Sequence, residues 1–197
     1  LGLLRVVFGE PWPDVTWEHL SVTLDQWCPE TLDRIAKGSD PARVDLKSAL
    51  RTLLPWPEAA RLDELVPTHI DVPSGSSIRL DYPDPDLVKP GTESGADDES
   101  TAAPERAEIP SPVLAVKLQE CFGWTDVPRV CDGRVPVTMH LLSPARRPLA
   151  VTSDLASFWA NVYAHVRAEN RGRYPKHPWP EDPLTAPAAK GTKRSGR

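Results

Sequence analysis

Proline sets the limits on what this chain can build. The 23 prolines among 197 residues are about twice the usual ~5%. Each removes a backbone donor and fixes φ near about −65°, so helices stop or start at them and inner strands run between them. With this punctuation the first block, 1–66, reads as helical. Trp17, Leu20, Leu24 and Trp27 recur at spacings of 3, 4 and 3, one stripe of a helix over 16–27. Asp14 or Thr16 caps its start, and Pro29 forbids its extension past Cys28. Asp40-Pro41 pairs a cap with a proline at the first helical position. Val44, Leu46, Ala49, Leu50, Leu53 and Leu54 then form an apolar face ending at Pro55. A third short helix spans 57–66.

Beyond Pro67 the period changes from that of a helix to two. Ile70 and Val72 alternate with polar residues, Ser74-Gly75-Ser76 offers a turn, and Ile78 and Leu80 alternate again, which predicts a β-hairpin. Nothing resembling a phosphate-binding GxxxxGK[ST] surrounds that glycine, so its expected role is the turn. Val113 to Phe122 reads as a short helix ending at Gly123, with its first residues open to a strand. Val135, Val137, Met139 and Leu141 alternate as a strand, Pro144–Pro148 turns, and Leu149–Thr152 returns. Ser153 or Asp154 caps the clearest helix, with Leu155, Phe158, Trp159, Val162, Tyr163 and Val166 on one face. The run RYPKHPWPEDP from Arg173 is too rich in proline for helix or inner strand and is expected to cross a surface as an extended strap.

Charge divides the chain unevenly. Residues 1–83 carry 8 basic and 13 acidic groups (−5), 84–108 carry 2 and 8 (−6), and 109–197 carry 13 and 7 (+6), which together give the net −5. Residues 83–111, rich in acid, Pro, Gly and Ser, have too little apolar area to offset their ordering entropy and are expected to form a disordered acidic insertion. A disordered basic tail is expected over 185–197. The fold class is thus α+β: helices over 1–66, then a β element with a long amphipathic helix and a strap over 67–184. No run approaches the ~20 apolar residues of a membrane span. Three cysteines (Cys28, Cys121, Cys131) without CxxC spacing favour a reduced, cytoplasmic setting. A chain starting on Leu1 rather than Met is expected to be a fragment.

Motifs for catalysis do not appear. Walker-type loops, DExH, GxSxG and HExxH are all missing, so no ATP hydrolysis is expected from this chain. Cys121, Cys131 and His140 lie ten and nine residues apart, a spacing foreign to zinc modules. His69 is expected to make structural hydrogen bonds. What remains is basic and aromatic: Arg167, Arg171, Arg173, Tyr174, Lys176, His177 and Trp179. Cations neutralise phosphates and rings stack on unpaired bases. Basic groups also suit a helix C-terminus without any ligand, so nucleic-acid contact and mere capping or domain docking both fit. Arg146 and Arg147, in the turn, form a second candidate.

The segments LLPWPEAARLDELVPTHIDVPSGSSIRLDY (53–82) and PVLAVKLQECFGWTDVPRVCDGRVPVTMHLLSPARRPLAVTSDLASFWANVYAHVRAENRGRYPKHPWPEDP (112–183) closely resemble the C-terminal region of HrpB-type DEAH-box ATP-dependent helicases. PTHIDVPSGS, HLLSPARRPLAVTSDLASFW and RGRYPKHPWPEDP are the most specific pieces. The resemblance implies upstream RecA-like motor domains in the same polypeptide that bind ATP and Mg²⁺, no cofactor in this chain, and an OB-like β element from about residue 67. It also implies a position beside the path of single-stranded RNA or DNA, where protein activators dock in related helicases. One departure is an insertion of about 28 residues where the family passes almost directly from the hairpin to PVLAVKLQE. The function expected is a non-catalytic accessory domain contacting nucleic acid. The alternative is a protein-interaction module with the strap as its docking element.

Overall fold

The computed structural model describes residues 1–40, 45–84 and 111–192. These divide into two compact units, one covering Leu1–Leu62, the other Asp63–Tyr82 with the chain from Ser111 onward. Of the regions singled out above, Pro41–Val44, most of the acidic insertion (85–110) and the tail from 193 lie outside the described residues.

The first unit is built from short helices: α1 (Gly2–Phe8), α2 (Trp17–Val22), α3 (Leu24–Trp27), α4 (Pro29–Ala36) and α5 (Leu46–Arg51), followed by a 3-10 turn over Glu58–Arg61. The single helix expected over 16–27 is two. At Thr23 the side-chain hydroxyl donates to the His19 carbonyl at 2.7 Å, and the residue sits at φ −107°. Such a local bond competes with the helical ladder. The stripe is divided accordingly: Trp27 is buried, whereas Trp17 stays 74% exposed. Of the two proposed caps Thr16 is the one used, and Asp14 supports it. Thr16 Oγ1 accepts from the His19 N–H, and Asp14 accepts from the Thr16 N–H and hydroxyl. Pro29 both ends α3 and opens α4, at the position where a missing N–H costs nothing. α5 is capped by Asp45, whose carboxylate accepts from the Ser48 N–H at 3.1 Å, not by Asp40. The helix expected over 57–66 is the 3-10 turn followed by one α turn, α6 (Leu62–Leu65).

The second unit is organised by a five-stranded sheet, in order β1 (His69–Asp71), β2 (Ser77–Asp81), β3 (Val113–Lys117), β6 (Thr138–Leu142), β7 (Pro148–Thr152). β4 (Arg129–Val130) and β5 (Val135–Pro136) form a separate small ladder. Neighbours are antiparallel except β3 and β6, which run parallel. The hairpin forms as expected, with Ile70 opposite Ile78 and Gly75 at φ +78° in its turn. Val113–Lys117 is strand rather than helix: Leu114 and Val116 are buried while Ala115 between them is exposed, a period of two, and only Leu118–Cys121 coils, as a 3-10 turn. Val135, Val137, Met139 and Leu141 are all buried, as their alternation predicts. The ladder is interrupted at Val137, whose N–H turns aside to Pro128 O. β1 and β7 are the sheet's two edges, so the description that holds is a mixed α+β unit on an open sheet.

Asp154 caps α7 (Leu155–Asn161) by accepting from the Ser157 N–H at 2.9 Å. The long helix expected here is two, because the Val162 carbonyl is shared by the His165 and Val166 N–H groups and α8 (Tyr163–Asn170) starts afresh. Val162 is 42% exposed and drops out of the apolar face; Leu155, Phe158, Trp159, Tyr163 and Val166 remain buried. Phe158, Trp159, Tyr163 and Phe122 pack edge-on or tilted, with centroids 5.0 to 6.3 Å apart, the arrangement that aromatic quadrupoles favour.

The three cysteines are free and buried. Burial pushes the Cys121 thiol up to about 12 and the Cys131 thiol up to about 11. Since only the thiolate attacks electrophiles, iodoacetamide at pH 8 should leave both unmodified in the native chain and alkylate them fully in guanidinium. Peptide mass analysis reads the result, and native alkylation of Cys121 would contradict this packing.

Candidate nucleic-acid interface

The expected cluster lies where α8 ends. Beyond Asn170 the chain makes turns through 171–177 and then runs to Pro187 without helix or strand. This stretch is tied down at several points. The Tyr174 N–H donates to Asn170 O at 2.9 Å, the His177 N–H to Tyr174 O, and Trp179 Nε1 returns to the same Tyr174 carbonyl at 3.1 Å. Trp179, only 8% exposed, plugs the second unit. Residues 170–179 therefore form a loop closed on itself by an indole, with Gly172 and Pro175 inside it.

The arginines of the cluster have different surroundings. Arg167 faces inward: its Nε donates to Trp179 O at 2.9 Å, and its guanidinium sits 3.3 Å from the Glu181 carboxylate. One turn earlier on the same side of α8, the Tyr163 hydroxyl donates to Pro180 O at 2.8 Å. Arg167 and Tyr163 thus fasten residues 179–181 to the helix, and neither partner was legible in the sequence, since Glu181 and Pro180 lie 14 and 17 residues away. Arg171, Arg173 and Lys176 are exposed, and Tyr174 and His177 are half-buried beside them. Arg146 and Arg147 are also exposed, in the β6–β7 turn, where Arg146 takes φ +59° and the Arg147 N–H donates to Ser143 Oγ. Backbone bonds run across this turn in both directions between Ser143 and residues 146–147.

The segment beyond 184 is less free than its composition implies. The Ala189 N–H donates to Gln119 O at 2.8 Å, and Lys190 Nζ donates to Gly75 O at 2.9 Å, so both residues are bonded within the second unit. Gly123, expected only as a helix stop, donates its N–H to Pro183 O at 3.0 Å and holds the strap's far end. His69 bonds through Nδ1 to the Thr68 hydroxyl at 3.0 Å. Among the described residues no group of three His, Cys, Asp or Glu side chains is placed to hold a metal, and no helix is long and apolar enough to cross a membrane.

The chain belongs to the ATP-dependent helicase C-terminal family (HrpB_C), whose model matches residues 27–183. It is 37% identical over 183 residues to the ATP-dependent RNA helicase HrpB of Escherichia coli strain K12, covering 93% of this chain. A crystal structure of the E. coli DExH-box NTPase HrpB superposes with a TM-score of 0.71 at 35% identity over 95% of the chain. A second, of the E. coli DEAH/RHA helicase HrpB, gives 0.54 at 34% identity over 90%. The chain spans 20% of the length of each of these relatives.

Proposed function

We propose that this chain is the non-catalytic C-terminal module of an ATP-dependent helicase. In this reading it works joined to motor domains of the same polypeptide, which carry ATP and Mg²⁺, and helps guide single-stranded nucleic acid. The observation that carries the reading is the closed loop presenting Arg171, Arg173 and Lys176 to solvent on the half of the chain that bears +6. Cations on a pre-ordered loop meet phosphates without first losing backbone entropy. Tyr174 and His177 add faces for bases, and Arg146 and Arg147 offer a second contact. Arg167 acts from behind, as the fastening of the strap. The name of the E. coli relative, an RNA helicase, favours RNA over DNA.

Titrating the chain into labelled single-stranded RNA and DNA at two salt concentrations tests this. Each phosphate contact on a single strand should contribute about 0.7 to the slope of log affinity against log salt. Affinity indifferent to salt, or no binding at micromolar protein, would leave the second reading in place. That reading, an architectural module, is favoured by the burial of Trp179 and the internal bonds of the strap. It expects Arg173→Ala and Lys176→Ala to be silent in every binding assay.

A further inference from the structure

On the side of α7 away from the core, the second unit carries a groove of about 330 Å³. Its floor is the indole of Trp159, held in place because Nε1 donates to Trp124 O at 2.7 Å. One wall is Ala156 and Ala160, exposed and four residues apart on α7, which leave an edge of the ring, 7% of the residue, in contact with the groove. The other is Pro183 with Leu184, which is 42% exposed. The rim is acidic. Glu181 is held 3.3 Å from the Arg167 guanidinium while its side chain stays 89% exposed. Asp182 accepts from the Leu184 N–H and the Thr185 hydroxyl, both at 2.9 Å, and these bonds hold its carboxyl below the usual range, so it is charged at neutral pH. Asp126 is close by, accepting the hydroxyl of Thr125, which also lines the groove. In a half of the chain with 13 basic groups and 7 acidic ones, two of the seven line this groove.

An apolar floor with an acidic rim matches one kind of side chain closely. Arginine lays an aliphatic stem on apolar surface and presents a fork to carboxylates. Phosphates would meet like charge here. We propose that this groove docks a protein segment in which an arginine stands next to a leucine-sized apolar side chain. The partner is a polypeptide, distinct in chemistry from the nucleic acid assigned to the loop at 171–176, and the proposal does not depend on that assignment.

The test uses the whole chain and an end-blocked, fluorescein-labelled peptide, Gly-Leu-Arg-Leu-Gly, read by anisotropy. Two companion peptides replace the arginine with glutamate or both leucines with serine. Saturable micromolar binding of the first peptide alone is expected. Ala160→Trp, which fills the groove from an exposed position, should weaken it roughly tenfold or more. Glu181→Gln should weaken it about threefold and flatten its salt dependence. Single-stranded RNA affinity should be unaffected by Ala160→Trp, which separates this site from the loop. Should that variant lose its cooperative melt, Ala156→Gln replaces it. No saturation at millimolar peptide, equal binding of the glutamate peptide, or wild-type affinity in a folded groove-filled variant would overturn the proposal.

Discussion

Trp179→Ala should cost about 3–5 kcal/mol, the range for removing a large buried aromatic. At the usual conversion for a chain of this size, this lowers the melting temperature by about 6–20 °C. Two losses combine in it. The indole fills a site that only 8% of its surface leaves, and its N–H closes the loop on Tyr174 O. Trp179→Phe separates them, keeping most of the apolar volume while removing one of the two donors to the Tyr174 carbonyl, for about 1 kcal/mol. Circular dichroism melts of the three proteins give both numbers. Limited trypsin digestion gives a third, because Arg171, Arg173 and Lys176 are cleavage points that the closed loop protects and the alanine variant should release. A melt for Trp179→Ala within a degree of wild type would mean that the strap does not pack as described.

The second large effect is on binding. Replacing Arg171, Arg173 and Lys176 together by alanine should reduce the salt slope for single-stranded RNA by about 2, three contacts at about 0.7 each. The melt should hardly move, since exposed cations contribute little to stability. Arg167→Gln should behave in the opposite manner. It breaks the bonds to Trp179 O and Glu181, so the loop loosens and overall affinity falls, yet the number of phosphates met, and therefore the slope, is retained. A slope that drops for Arg167→Gln and not for the triple variant would exchange their roles.

Strict local patterns carried most of the fold. Val135, Val137, Met139 and Leu141 announced a buried strand face through alternation alone, Ser74-Gly75-Ser76 the turn of the β1–β2 hairpin, and Asp154 a cap three residues before its donor. Where the helical pattern failed, a local bond that apolar spacing does not encode had intervened. Thr23 diverts a hydroxyl to His19 O, and Val162 shares its carbonyl between two donors, so each expected long helix became two. Val113–Lys117 contains five residues that suit either element, and its pairing with β6, more than twenty residues downstream, decides for strand. The candidate site divides in the same way. The exposed loop arginines could be picked out by charge and position, but Arg167 looked identical to them because its partners lie across the strap. The acidic groove was invisible, being assembled from Thr125, α7 and Glu181–Leu184, three stretches unremarkable singly.

The register of β2 against β3 places Asp81 directly opposite Val113. The backbone thus departs from the sheet and rejoins it at a single rung, and thirty-one residues lie between those two pairing partners. An excursion that starts and finishes at one point imposes no length on what it contains, and for a flexible segment a tenfold extension costs only about 2 kcal/mol of closure entropy. Sequence can accumulate or vanish there with every strand still in step, so chain length at this rung is decoupled from the register of the sheet.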